Sequence, residues 1–125
     1  MTDSPAEPTV FERIVAREIP ARIVAETDRV IAFHDIAPQA PVHVIVTTKT
    51  AAYRDVVGLA QGDPALLAEL VAVAQGIAAE LADGEFRLVF NTGASAGQTV
   101  FHVHAHVLAG NSLAGGLEEG TLAGA

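Results

Sequence analysis

The run Phe101-His102-Val103-His104-Ala105-His106-Val107-Leu108 places an imidazole at every second position of an otherwise apolar stretch. A period of two is that of a β-strand, so His102, His104 and His106 share one face, while Phe101, Val103, Ala105 and Val107 point to the other. The fold must therefore accommodate a strand with an apolar face and a face bearing three ionisable rings. Desolvation and mutual repulsion both oppose charging partly buried imidazoles, so each ring needs a hydrogen-bonding partner. Such a face points to chemistry.

A chain of 125 residues suits one domain with a self-sufficient core. Half of its residues are hydrophobic, yet no apolar run reaches the ~20 residues of a membrane helix. Residues 1–8 are acidic and Pro-rich, without the basic and apolar segments of a signal peptide, and are expected to form a disordered tail of a cytoplasmic protein with no membrane partner. There is no cysteine, which excludes disulfides, thiolate zinc sites and thiol nucleophiles. With 7 Lys+Arg against 15 Asp+Glu, a formal charge of -8 and no basic cluster, nucleic acid is not an expected partner, whereas a small anion held locally is compatible.

Thr9 and Glu12 have the spacing of a capping box, and Phe11, Ile14 and Val15 repeat at helical spacing, which predicts a short helix over about residues 10–17. Residues 23–26 and 30–33 flank the polar turn Thr27-Asp28-Arg29 and read as a β-hairpin that delivers His34 and Asp35 at its end. After Pro38 and Pro41, residues 42–47 are strongly β-forming, with His43 on the face of Ile45 and Thr47. Residues 50–62 read as a short helix and a loop. The long helix begins with Asp63 as N-cap and Pro64 in its first turn, and closes at Asp83-Gly84. Its expected apolar stripe is Leu67, Leu70, Val71, Ala74, Ile77, Ala78 and Leu81. Phe86, Leu88 and Phe90 share a face of a further strand, and a small-residue loop from Thr92 to Thr99 returns into the histidine strand as a hairpin. Beyond Gly110 periodicity is lost, so 111–125 is expected to be a loosely ordered tail around the domain 9–110. The pattern is α+β: a five-stranded antiparallel sheet with one long and one short helix.

Alternating histidines suit either a metal, with His43 or Asp35 completing the ligands, or an imidazole site directed at phosphate. A set of satisfied core histidines is the third possibility. The loop Gly97-Gln98-Thr99 offers close-approaching main-chain N–H groups, an amide and a hydroxyl, the equipment of a phosphate cradle, which favours the second.

His102 to Leu108 resembles the histidine triad motif, three histidines alternating with apolar residues. Around it, Arg17-Glu18-Ile19-Pro20, Ala32-Phe33-His34-Asp35-Ile36, Pro38-Gln39-Ala40-Pro41-Val42-His43, Asn91 and Gly97-Gln98-Thr99-Val100-Phe101 extend the resemblance to the Hint-like branch, the histidine triad nucleotide-binding proteins, over residues 11–108. The resemblance implies a homodimer with one continuous ten-stranded sheet. It also implies purine nucleoside monophosphates and their phosphoramidate conjugates as ligands, and transfer or hydrolysis at the α-phosphate without a cofactor.

On that resemblance His104 is the nucleophile, forming a nucleotidyl-imidazole intermediate, and His106 donates to a phosphate oxygen. His102 and His43 complete the cluster that orients and tunes the nucleophile. Asp35 accepts from the ribose hydroxyls, His34 and Ile36 line the base pocket, and Asn91, Gly97, Gln98 and Thr99 contact the phosphate or leaving group. Two departures stand out. The cysteines of the structural zinc site found in many bacterial relatives are missing and Thr50 stands where its histidine would, so no metal is expected. The tail from Ala109 has no Trp where relatives carry Trp-Pro-Pro-Gly, which bears on leaving-group preference. A nucleotide-binding or partner-binding module with vestigial catalysis is the alternative function, and a metal-binding β-protein a third.

Overall fold

The computed structural model describes residues 7–110. The tails expected over 1–8 and 111–125 lie outside the described residues, apart from Glu7 and Pro8. Helix α1 (Val10–Val15) is followed by strands β1 (Ile23–Glu26), β2 (Val30–His34) and β3 (Val42–Thr48). Helices α2 (Val56–Gly62) and α3 (Pro64–Leu81) precede β4 (Arg87–Val89) and β5 (His104–Ala109). The strands form one antiparallel sheet in the order β1-β2-β3-β5-β4. The expected α+β class with five antiparallel strands is the observed one, with α2 as a second short helix inside the 50–62 stretch. The connection through α2 and α3 leaves β3 beside β5, and this adjacency joins His43 to the histidine strand.

Local chemistry accounts for the element boundaries. Thr9 and Glu12 close the capping box of α1 in both directions. The helix stops at Val15, short of the expected 17, because Arg17 adopts a left-handed conformation at φ 62, which ends helical propagation. Asp63 caps α3 by accepting from the Leu66 N–H at 3.0 Å, with Pro64 opening the helix.

The register decides the two faces. Ile45 opposes His106 and Thr47 opposes His104, while Val46 opposes Ala105 and Val44 opposes Val107. Directly opposed residues share a face. Val30, Ala32, Val44, Val46, Val103, Ala105 and Val107 therefore meet the inner stripe of α3, Leu66, Leu70, Ala74 and Ile77. The opposite face carries Phe11 and Ile14 from α1 against Ile31, Phe33 and Ile45, and the histidines lie on this side.

Two expectations are corrected. The stripe of α3 is rotated: Leu66 is buried, while Val71 and Leu81 are exposed, because adjacent apolar residues let a neighbouring line of the helix face the sheet. The α3 segment, with mean hydropathy 1.5, is apolar enough to cross a bilayer by length and composition, but its inner residues are the roof of this core. Phe101 does not point into the core. Strand pairing starts at His104, so the alternation does not extend back to 101, and the Phe101 ring, 40% exposed, lies under the Arg54 guanidinium at 4.7 Å.

Candidate active site

Four buried histidines, His43, His102, His104 and His106, converge where β3 meets β5. Their partners fix which nitrogen carries each hydrogen, because a carbonyl only accepts and a main-chain N–H only donates. His104 Nδ1 lies 2.8 Å from the His102 carbonyl oxygen. The Nδ1 hydrogen is therefore donated there, and Nε2 of the neutral ring is a lone pair. His102 Nε2 donates to the Thr48 carbonyl at 2.6 Å. His43 Nδ1 accepts the Gln39 main-chain N–H at 2.9 Å, which puts the His43 hydrogen on Nε2. That hydrogen faces His106 Nδ1 at 2.9 Å and Asp35 Oδ2 at 3.3 Å. His106 accepts at Nδ1, so its own hydrogen sits on Nε2.

Burial keeps these rings neutral. His43, His102 and His104 are all held below the ordinary histidine value, with desolvation the main cause. His106 is lowered to about 4 by desolvation and then by its neighbours His104 and His43. Asp35 acts in the opposite sense on His43, His104 and His106.

Asp35, His43 and His106 each place one ligand atom within 4.8 Å of the others, the arrangement a metal would use. The tautomers speak against that use. With Nδ1 accepting from Gln39, neutral His43 has no lone pair at Nε2 to offer a cation, so this trio fits a shared hydrogen better than a metal.

Beside the cluster opens a cleft of about 630 Å³ walled by Phe11, Ile14, Phe33 and Ile45, with His34, Asp35 and Ile36 at its rim. Its apolar walls and polar edge suit a flat ring joined to a hydroxylated group. Phe11 joins the two regions, since its ring meets His104 edge-on at 4.8 Å and 73°. Ile36 is 100% exposed on the segment whose Ala37 N–H is held by Asp35 Oδ1 at 2.7 Å.

The structure thus gathers His43, His104, His106 and Asp35 into one cluster, and His34 and Ile36 onto the adjoining rim. The loop residues sit differently. Gly97 takes φ 95, a conformation that favours glycine, and Thr99 is exposed. Gln98 is turned inward: its amide donates to the carbonyls of Arg54 at 2.6 Å and Val100 at 3.1 Å and accepts the Gly93 N–H at 2.9 Å. That side chain holds the loop together. Asn91 follows β4 by two residues and is half-buried. His102 is fully buried with both ring nitrogens engaged, which makes it a support for the cluster. Sequence reasoning missed the Gln39 main-chain N–H, Thr48 and the packing of Phe11 on His104. Thr9 and Phe11 were legible only as helix residues.

A family model of the HIT domain matches residues 16–113. The chain belongs to the HIT family. Among its relatives, a HIT-like protein of Synechocystis is 49% identical over 106 residues, 84% of this chain and 92% of that protein. An adenylylsulfatase of Arabidopsis thaliana is 38% identical over 112 residues, 85% of this chain and 74% of the plant protein. The solved structure of a HIT family hydrolase from Clostridium thermocellum superimposes with a TM-score of 0.80 at 39% identity, covering 87% of this chain and 96% of that one. The fold of that hydrolase is the fold described above, and the matched span includes residues 102–108.

Proposed function

We propose that this HIT-domain protein is a purine nucleoside phosphoramidase, a hydrolase of the P–N bond at the α-phosphate of AMP- or GMP-type conjugates. The observation that carries the reading is the His104 tautomer. Its Nδ1–H is held on the His102 carbonyl, so Nε2 is a lone pair, and the ring that bears it packs on Phe11, a wall of the adjoining cleft. The name of the Arabidopsis relative, adenylylsulfatase, supports an adenylyl substrate.

In the first step His104 Nε2 attacks phosphorus and the P–N bond breaks, its electron pair leaving with the amine nitrogen, which takes up a proton from solvent that the attacking water of the second step gives back. The resulting nucleotidyl-imidazolium keeps its Nδ1 hydrogen on the carbonyl. Water then attacks phosphorus and the P–Nε2 bond breaks, regenerating the neutral ring. Overall one water is consumed, its oxygen ending on phosphorus and one hydrogen on the amine. This is covalent catalysis by an uncharged nucleophile. His106 Nε2–H donates to the non-bridging oxygen on which charge develops, an effect worth about 10²–10³ in rate. The base occupies the apolar cleft, with its ribose hydroxyls on Asp35. Gly97 and Thr99 face the phosphate and leaving group from the loop, together with Asn91. The protein works as a homodimer with the sheet continued across the interface, a reading supported by the outer strands β1 and β4 of the described sheet.

The test is release of a fluorescent amine from an adenosine phosphoramidate, wild type beside His104→Ala, with and without a chelator. The expected result is chelator-insensitive turnover, reduced on the order of 10⁴-fold or more in the variant, with AMP binding retained. Binding of AMP without turnover in the wild type would give the vestigial-module reading instead. Turnover abolished by the chelator would overturn the metal-free mechanism.

A further inference from the structure

This inference rests on the proposed phosphoramidase reading and concerns how the nucleophile is held. His102 is fully buried but precedes β5, in a bend outside the strand ladder. Its Nε2 hydrogen is fixed on the Thr48 carbonyl, so its Nδ1 is a lone pair. The Thr9 hydroxyl lies 3.2 Å from that lone pair. The same hydroxyl oxygen accepts the Glu12 main-chain N–H at 3.2 Å, which leaves its hydrogen for the ring. The His102 carbonyl in turn accepts from His104 Nδ1 at 2.8 Å. An unbroken path of hydrogen bonds and covalent bonds thus runs from the N-cap of α1 to the nucleophile.

We infer that Thr9 is a positioning residue for turnover. Its hydroxyl fixes the His102 ring and so aims the His102 carbonyl at His104 Nδ1, which holds Nε2 toward phosphorus. The position requires a group that accepts from the helix and donates to the imidazole at once. A hydroxyl does both; a carboxylate caps the helix as well as Thr does but donates nothing, and Val does neither. Phe11 follows two residues later, packs on His104 and walls the cleft, so the helix that meets the base also carries the anchor of the nucleophile.

The test compares the full chain with Thr9→Ser, Thr9→Asp and Thr9→Val by three measurements: melting temperature, long-range ¹H–¹⁵N spectra of the imidazoles, and kcat and KM on the fluorogenic adenosine phosphoramidate. Thr9→Ser is expected to keep kcat within about twofold, since both hydrogen bonds survive. Thr9→Asp is expected to melt with the wild type, because the cap is preserved, yet to lose the pattern of a protonated Nε2 and an accepting Nδ1 at His102. Its kcat falls on the order of 10²-fold at unchanged KM, the scale of a misplaced reacting group. A folded Thr9→Asp with wild-type kcat overturns the inference. So does a wild-type spectrum with the His102 hydrogen on Nδ1, and that observation stands even where a variant fails to fold. An inactive wild type that still shows the accepting Nδ1 counts against the phosphoramidase reading and leaves the Thr9 contact supported.

Discussion

His43 and His106 share a single hydrogen across 2.9 Å, and its direction is set from outside the pair. The Gln39 main-chain N–H occupies His43 Nδ1, so His43 donates and His106 accepts. A loop amide therefore decides that the remaining hydrogen of His106 sits on Nε2, where the proposed mechanism needs a donor to phosphate. The same segment carries Asp35 and Ile36, so the part of the chain proposed to meet the nucleoside also orients the ring proposed to meet the phosphate.

The first prediction concerns stability. In the folded protein His106 has its pKa lowered to about 4, against an unfolded value near 6.5. Between those values the unfolded chain binds a proton that the native state refuses, so stability is fully present above pH 6.5 and is lost as pH falls toward 4. At about 1.4 kcal/mol per pKa unit this one ring removes about 3 kcal/mol. His43, His102 and His104 are lowered too and act with the same sign. Urea unfolding across pH 4 to 7 measures the loss, and His106→Asn should flatten the slope. A stability that holds level over that window would contradict the burial of neutral rings.

The pH dependence of turnover follows from the nucleophile. Burial lowers His104, against the partial opposition of its bond to the His102 carbonyl and of Asp35. Only the neutral ring has the lone pair at Nε2, so kcat/KM should be flat on the histidine side from about pH 8 to 6.5 and decline only below the ordinary histidine value. A limb centred above 6.5 would mean a raised pKa and a different nucleophile.

Much of this was legible in the sequence, for identifiable physical reasons. The period of two in 102–108 gave the faces of β5, and the Thr9/Glu12 and Asp63/Pro64 signals gave two helix starts, because each rests on local geometry. The rotation of α3 was not legible, since Leu66 and Leu67 are equally apolar and only the sheet decides between them. Phe101 departs from the alternation because strand pairing, which is non-local, begins three residues later. The tautomers were out of reach for the same reason: they depend on the carbonyls of Thr48 and His102 and the N–H of Gln39, main-chain groups that every sequence possesses.

Gln98 separates a loop that binds from a loop that is held. Its buried amide makes three internal hydrogen bonds, so Gln98→Ala should cost about 1–3 kcal/mol by leaving the Arg54 and Val100 carbonyls and the Gly93 N–H without this partner. Thr99→Ala, at an exposed position, should leave stability within about 0.5 kcal/mol. Denaturant midpoints compare the two directly. Equal midpoints would show that Gln98 is not the clasp of this loop.

Asp35 joins the nucleoside cleft to the histidines, and Asp35→Asn is expected to disturb both in distinguishable ways. A ribose hydroxyl donating to a carboxylate makes a charge-assisted bond of about 1.5–3 kcal/mol, so its loss should raise KM by roughly 10- to 100-fold. The charge of Asp35 also works against the lowering of His104 and His106. Without it burial acts with less opposition, both rings fall further, and the acid limb of kcat/KM moves to lower pH. A structural defect would depress kcat across the whole profile without moving the limb. KM and the limb are read from one set of pH-dependent assays on the adenosine phosphoramidate. A raised KM with a limb displaced toward acid is the expected pair, whereas an unchanged KM would take Asp35 out of ribose recognition and leave it as an internal partner of His43 and of the Ala37 N–H.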